Sequence, residues 1–401
     1  MLHSAAGIRA QDLAARTDLP SVLFLADHLG YSSGVSHGLT SYLLNVLPAL
    51  AGAGVDLTVC FLRESHVAAD VLRGHGIEPI FLNAGKLDPR VALNVASIAR
   101  QRGCRILHAT QMKATLIARI VAPLVEARTI IHVHDLNRVH PAVRALQRAF
   151  ARPSDRGLCV ADVIHGLAAS DYALRRDRIS TLHNSLPLER FRQVPAAARD
   201  RLRAEFAIAE DAPVLGMIGR MFPVKGHRHM LSMMAQIVRR HPDAILLLVG
   251  DGPERASCEA LIARLGLGAN VVFAGQRSDV PDLLTLCSLV VLPSESEGLP
   301  LTAIEAMAAA RPVVGFDVGG MREVVDDGRT GRLVAAGDSA AFIAAVLDLL
   351  DDPAELAAAG AAAAAAAERF GIEHHVRRLL SLYREIGGGR RAGDRPAQTG
   401  G

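Results

Sequence analysis

The chain lacks paired cysteines, long apolar runs and a strong charge of either sign, and each shortage closes off a class of function. Its five cysteines (60, 104, 159, 258 and 287) are odd in number and form no C-x-x-C pair, which argues against a disulfide framework and a structural zinc site. A reducing, cytoplasmic compartment is expected. No stretch approaches 18 uninterrupted apolar residues, and Arg9, Asp12, Arg16 and Asp18 interrupt the first 19, so neither a membrane span nor a secretion signal is read here. The net charge of +3 is too small to argue for nucleic acid. It is unevenly spread, because residues 1–190 hold 21 Lys and Arg against 15 Asp and Glu, and the remainder 23 against 26. The first half is therefore the one expected to meet something anionic. Aromatic residues are only 4% of the chain, yet half of it is apolar, and 401 residues exceed what one core serves, so two domains are expected.

What is present is an alternation of short apolar runs with longer helical patterns. "SVLFLA", "VDLTVCFL", "RILHA", "TIIHVH" and "RISTLH" mark the first half, and "APVLGMIG", "AILLLVG", "NVVFAG", "LVVLP" and "PVVGF" the second. Runs apolar throughout suit strands covered on both faces, so the fold class is α/β with two doubly wound parallel sheets. Leu39, Tyr42, Leu43, Val46, Leu47 and Leu50 recur at helical spacing and predict a helix whose role is packing. Residues 187–213 are polar and proline-punctuated, which suits a connection between domains. The alanine-rich stretch 354–370 predicts a surface helix, and "HHVRRLLSLYREI" a final amphipathic one.

Four features fall at the C-terminal ends of predicted strands, where open α/β sheets place ligands. In "IGRMFPVKGH", Arg220 and Lys225 stand at a helix entrance, an arrangement suited to an anion. "LVGDGPE" lacks the third glycine of the dinucleotide fingerprint and reads as a tight turn, so a nicotinamide cofactor is not indicated. In "PSESEGLPLTAIEAM", Glu297 precedes a helix that carries Glu305, eight residues on and on the same side, where both acids could accept hydrogen bonds from ligand hydroxyls. "FDVGGMREVVDDGRTGRLV" closes the same edge.

Taken together, Arg220 with Lys225 in "GRMFPVKG", the E-x(7)-E pair Glu297 and Glu305, and "DVGGMREVVDDGRTG" resemble the signature of glycosyltransferase family 4, the retaining GT-B sugar-nucleotide transferases. "LGYSSGVSHGLTSYLLNVLPALAGAGVDLTVC", "TIIHVHDL" and "HNSLPLERF" extend the resemblance over residues 21–386, although Ser185, Pro187 and Pro300 depart from the family's usual residues. The resemblance implies two Rossmann-like domains facing across a cleft, with boundaries at 1–19 (extension), 20–192 (acceptor domain), 193–372 (donor domain), 373–386 (a helix packing back toward the first domain) and 387–401 (disordered tail). It implies that Arg220 and Lys225 hold the donor diphosphate, that Glu305 serves the ribose, and that Glu297 and His134 serve the donor sugar. Gly34 would admit close approach of donor phosphate or acceptor, Gln276 and Arg277 would flank the base, and Gly219, Gly298, Leu299, Leu301 and Thr302 would complete the donor site. Because Pro300 has no N–H, amide donation falls to Leu299, Leu301 or Thr302.

The implied partners are a nucleotide sugar and a glycan, lipid-linked or small-molecule acceptor, with no cofactor, no metal and no nucleic acid. His132 and His134 share a strand face and His108 could be a third ligand, but such histidines on a buried strand are more often polar contacts than a metal site. Arg144, Arg148, Arg152 and Arg156 recur every four residues, a basic stripe that would suit peripheral contact with the inner face of a membrane if helical, although Pro153 breaks the period. A GT-B epimerase or hydrolase, or a silent GT-B binding protein, is the alternative to transfer.

Overall fold

The computed structural model describes residues 19–30, 38–85 and 88–387. Gly34, the extension to residue 18 and the tail from 388 lie outside them. Among the described residues thirteen strands form two sheets, and every pairing between them is parallel. The first sheet holds β1 (Val22–Ala26), β2 (Leu57–Phe61), β3 (Ile80–Phe81), β4 (Ile106–Thr110), β5 (Arg128–Val133), β6 (Arg156–Cys159) and β7 (Ile179–Thr181), in the order β3-β2-β1-β4-β5-β6-β7. The second holds β8 (Val214–Ile218), β9 (Ile245–Val249), β10 (Val271–Gly275), β11 (Leu289–Leu292), β12 (Val313–Phe316) and β13 (Gly331–Val334), in the order β10-β9-β8-β11-β12-β13. Each order reverses once, between β1 and β4 and between β8 and β11. At such a switch point adjacent connections leave toward opposite faces and open a crevice at the strands' C-terminal ends.

Helices cover both faces, and β1, β4 and β11 have no exposed residue. β1 and β11 therefore read as unbroken apolar runs, whereas β4 buries His108 and Thr110 among its apolar residues. The predicted helix is present as Gly38–Gly52, and Thr40, Tyr42, Leu43, Val46, Leu47 and Leu50 are buried along it. It does more than pack, because Gly38, Leu39 and Ser41 also reach the cavity described below. The alanine-rich helix, Pro353–Ala367, is only partly a surface element: Ala359, Gly360, Ala363 and Ala367 are buried, and it packs against the helix Leu301–Ala308 that carries Glu305.

The chain crosses between the domains twice at one place. Leu186 N–H donates to the Phe370 carbonyl at 3.0 Å and Ile372 N–H to the Leu186 carbonyl at 3.0 Å. The last helix, Ile372–Gly387, then lies on Gly38–Gly52 and β4 of the first domain. Within the proposed connection, the helix Ala196–Phe206 packs on Val280–Leu286 of the second domain. The arginine stripe is not one helical face: the helix Pro141–Ala149 ends before Arg152, Arg156 opens β6 and pairs with Glu385, and Arg144 lies 3.8 Å from Asp171. Pro153 and the strand after it break the period. Among the described residues no helix is long and apolar enough to cross a membrane.

Candidate functional site

Between the two sheets lies a cavity of about 530 Å³, walled by the loops that follow β1, β4, β5, β8, β9, β10 and β11. It is of ordinary size for a small-molecule site. Gly219, Arg220 and Lys225 after β8, Gln276 and Arg277 after β10, Glu297, Gly298, Leu299, Leu301, Thr302 and Glu305 after β11, and His134 after β5 all line it. Of the site residues expected from the sequence, Gly34 is the one that lies outside the described residues.

The two loops at the second switch point are joined by an ion pair. Lys225 Nζ donates to Glu297 Oε1 at 2.7 Å, with the side chains 29% and 9% exposed, so the acid is nearly removed from water and the base is partly in it. Gly226 makes this approach feasible: its φ is +75°, and a Cβ there would stand 2.1 Å from the Pro293 carbonyl oxygen of the neighbouring loop. Arg220 lies with its guanidinium 4.6 Å from the Phe222 ring centroid. Across the cleft, a Cβ on Gly298 would come within 2.5 Å of the His134 carbonyl oxygen, so the two domains touch beside Glu297. Asn184 Nδ2 donates to the Leu299 carbonyl at 3.2 Å, and the Glu323 carboxylate accepts from Asp162 N–H at 2.7 Å and Val163 N–H at 3.1 Å, which fasten the same seam.

The helix Leu301–Ala308 begins at the cavity wall with Pro300 as its cap. Its first amides, those of Leu301 and Thr302, stand at the helix's open end, while Ala303 and Ile304 return to the Pro300 carbonyl. Glu305, one turn in, is half-buried, and among the described residues no side chain or amide donates to its carboxylate. Burial pushes its pKa up to about 7, with Arg190 opposing. An acid kept protonated by folding stabilises the fold at low pH and stops doing so as pH rises. Here the loss begins near the unfolded value of 4.5 and is complete above about 7, roughly 3 kcal/mol in all. Glu305→Gln is therefore expected to match wild type in urea unfolding at pH 4.5 and to exceed it at pH 8. Equal stabilities at pH 8 would show that the carboxylate is not strained there.

Arg277 is already engaged. Its guanidinium donates to Glu205 at 2.6 Å and to Asp279 at 2.8 and 2.7 Å, so it walls the cavity more than it offers free donors. The first-domain wall is set by Gln111, which has a strained backbone for a residue with a side chain (φ 67°, ψ 159°). Its Oε1 accepts from Asp27 N–H at 2.7 Å and His28 N–H at 3.2 Å. Asp27, pushed up to about 6 by burial, caps the next helix through Lys113 and Ala114 N–H. His108 Nε2 and His132 Nδ1 face each other at 3.2 Å, so these nitrogens are committed to one another, and no group of three or more ligating side chains among the described residues could hold a metal.

The sequence marks the Gly-x-Gly after β9 as a tight turn at a strand end where ligands lie, and Gly250 and Asp251 of that turn do line the cavity. Gln111, which lines it too, was not singled out. No local pattern announces Gln111.

Residues 198–366 match the family model described as "Glycosyl transferases group 1", and residues 36–190 that of "Glycosyltransferase Family 4". The chain is 30% identical over 292 residues to a 2-deoxystreptamine glucosyltransferase of Streptomyces kanamyceticus, covering 69% of this chain and 75% of that one. It is 26% identical over 395 residues to a D-inositol 3-phosphate glycosyltransferase of Corynebacterium urealyticum, covering 88% and 92%. Among solved structures, Anabaena HepE in complex with UDP superposes with a TM-score of 0.80 at 22% identity, over 91% of this chain and all of that one, a likeness of fold.

Proposed function

The chain belongs to the group 1, family 4 glycosyltransferases, and on that premise we propose that it moves a sugar, with retention, from a nucleotide-diphosphate sugar to an acceptor hydroxyl. The observation that carries this is the convergence of two cations, Arg220 and Lys225, and two acids, Glu297 and Glu305, on one cavity that His134 closes from the other domain. The cations neutralise the diphosphate as the glycosidic bond breaks, where charge develops and fixed positive groups act most strongly. Glu305 accepts from the ribose hydroxyls, and Glu297 and His134 position the transferred sugar. With the acids assigned to recognition, the acceptor hydroxyl attacks the face the leaving group departs from and gives its proton to the departing phosphate. Because side-chain cations supply the neutralising charge, the reaction needs neither metal nor cofactor.

The acceptors proposed are those of envelope or extracellular glycan and glycolipid assembly, in the cytoplasm and at the inner face of the membrane where the acceptor is lipid-linked. The names of the relatives add small hydroxylated acceptors.

The test incubates the purified protein in EDTA with UDP-glucose, UDP-N-acetylglucosamine and GDP-mannose, alone and with 2-deoxystreptamine, D-inositol 3-phosphate or a lipid-linked acceptor. Product with the donor's anomeric configuration is expected; inversion, a requirement for metal, or free sugar alone overturns it. At pH 8, where its carboxylate is ionised, Glu305→Gln is expected to weaken both the sugar nucleotide and the bare nucleoside diphosphate about 10- to 100-fold, the weight of hydrogen bonds to a charged acceptor. Glu297→Gln is expected to leave the bare diphosphate unchanged and to slow transfer. The reverse pattern would exchange the two roles.

A further inference from the structure

Two buried polar groups of the first domain have no part in the reaction as described. Thr110 ends β4 and His132 lies on β5; they are register partners on adjacent parallel strands, so both side chains leave the same face of the sheet. Both residues line the cavity, at 0% and 1% exposure. Among the described residues Thr110 Oγ1 and His132 Nε2 have no hydrogen-bond partner, which is uncommon for buried groups and calls for an explanation.

The other nitrogen of His132 leads away from the cavity. Its Nδ1 is 3.2 Å from His108 Nε2, and His108 Nδ1 is 2.7 Å from the Tyr383 hydroxyl on the last helix. Burial holds both imidazoles far below their usual range, His108 at about 3 and His132 with further lowering from His134, so each ring carries one proton. A single proton then lies between the rings, and two arrangements allow it. In one, the Tyr383 hydroxyl donates to His108 Nδ1, His108 Nε2–H donates to His132 Nδ1, and the remaining hydrogen sits on His132 Nε2. In the other every bond reverses, and the hydroxyl hydrogen of the fully buried Tyr383 is left without an acceptor while His132 Nε2 is left without a donor. The first leaves fewer buried groups unserved.

We propose that Tyr383, through His108, holds His132 as its Nε2–H tautomer, and that His132 and Thr110 together take one substrate hydroxyl. The N–H donates to the hydroxyl oxygen, and the hydroxyl hydrogen goes to Thr110 Oγ1. The pair is neutral, because burial keeps the His132 ring uncharged, so it suits a neutral hydroxyl, whereas a phosphate or carboxylate would bring into this buried corner a charge that neither group offsets. That the hydroxyl belongs to the transferred sugar or to the acceptor rests on the transferase function proposed above.

The tautomer is tested in the free protein, by nitrogen chemical shifts of isotope-labelled histidine rings. His132 is expected as Nε2–H, with the Nδ1–H form appearing in Tyr383→Phe; an Nδ1–H ring in wild type overturns the proposal. Thr110→Val and His132→Phe are then titrated with the sugar nucleotide and the bare nucleoside diphosphate selected by the donor panel, and assayed with its acceptor. An increase of about tenfold is expected, the weight of one neutral hydrogen bond, and His132→Gln is expected to restore most of it. If the hydroxyl is the donor sugar's, the increase is in sugar-nucleotide Kd and spares the bare diphosphate; if the acceptor's, it is in acceptor KM. Thr110→Val is expected to unfold no more readily than wild type, because it removes an unserved hydroxyl, so lost affinity cannot be lost stability. Variants with both constants within about threefold of wild type overturn the proposal. Should wild type bind no sugar nucleotide, the transferase function fails, and the tautomer still decides the arrangement of the relay.

Discussion

Lys225→Ala is expected to lower kcat about 100- to 1,000-fold while raising the donor KM far less, the range seen when one group aimed at developing charge is removed. In the free protein the Lys225 ammonium is held by Glu297 at 2.7 Å, so it is not a cation waiting for phosphate. An ammonium has three hydrogens, however, and one carboxylate oxygen engages only one of them. The lysine can therefore keep Glu297 and reach a phosphate oxygen as charge builds on it. Glu297 is fixed in turn by its own carbonyl, which accepts from Gly320 N–H at 3.3 Å. The two side chains then work as one unit, and their losses should not add. The double variant Lys225→Ala with Glu297→Ala is expected to be little slower than Lys225→Ala alone. Steady-state rates of the four members of that cycle decide the matter. A Lys225→Ala enzyme with more than a tenth of wild-type kcat would remove the lysine from the leaving-group role, and strictly multiplicative losses would separate the pair.

That pairing illustrates what the sequence could and could not disclose. Arg220, Lys225, Glu297 and Glu305 were legible individually, because each stands just after an apolar run, and strand-then-loop is a local pattern. β1, β8, β9, β11 and β12 were legible for the same reason: they carry no polar residue to blur them, and β4 and β5 still show as short apolar runs around His108, Thr110 and His132. β3, β6 and β13 were not legible. β3 is two residues, Ile80–Phe81, and β6 and β13 each spend two of their four residues on an arginine and a glycine, so none shows an apolar run of useful length. Contacts between distant segments were likewise invisible. Lys225 and Glu297 are 72 residues apart, and His108 and Tyr383 are 275 apart. Nothing near either partner specifies the other, since the topology of the sheets and the return of the last helix bring them together. The alanine-rich stretch predicts a surface helix because alanine reports propensity and not burial. The close packing of Gly360 on Ala310, where a Cβ would lie 2.5 Å from a carbonyl oxygen, is a tertiary fact.

The second large effect is expected far from the cations. Asp155→Ala should lower the unfolding free energy by about 3–5 kcal/mol, the cost of stranding a buried charge. Arg119 lies inside the apolar helix Met112–Val121, with its side chain 0% exposed, and its Nε donates to Asp155 Oδ2 at 2.8 Å. Its Nη1 donates to the Gln147 carbonyl at 3.1 Å and to Gln147 Oε1 at 2.7 Å. Asp155 also accepts from the Thr129 hydroxyl and, at 2.9 Å, from Arg152 N–H. Gln147 Nε2 closes the knot on Met112 and Thr115, so one guanidinium ties three segments behind the wall that Gln111 presents to the cavity. Burial already depresses the arginine's pKa, and the Asp155 carboxylate is the first of the groups that oppose this. With the carboxylate gone, the guanidinium has no counter-charge and no route to water. If the stranded charge is the cause, removing it should restore stability, and Arg119→Met with Asp155→Leu is expected to recover at least half of the loss in urea unfolding. A single variant that loses less than about 1 kcal/mol, or a double variant worse than the single, would show that the pair is not what holds this wall. Nucleoside diphosphate affinity offers an independent control. Arg220, Lys225 and Glu305 stand on the other domain, so folded Asp155→Ala protein should bind the diphosphate as wild type does, and a loss of binding would mean that the wall behind Gln111 supports the donor site directly.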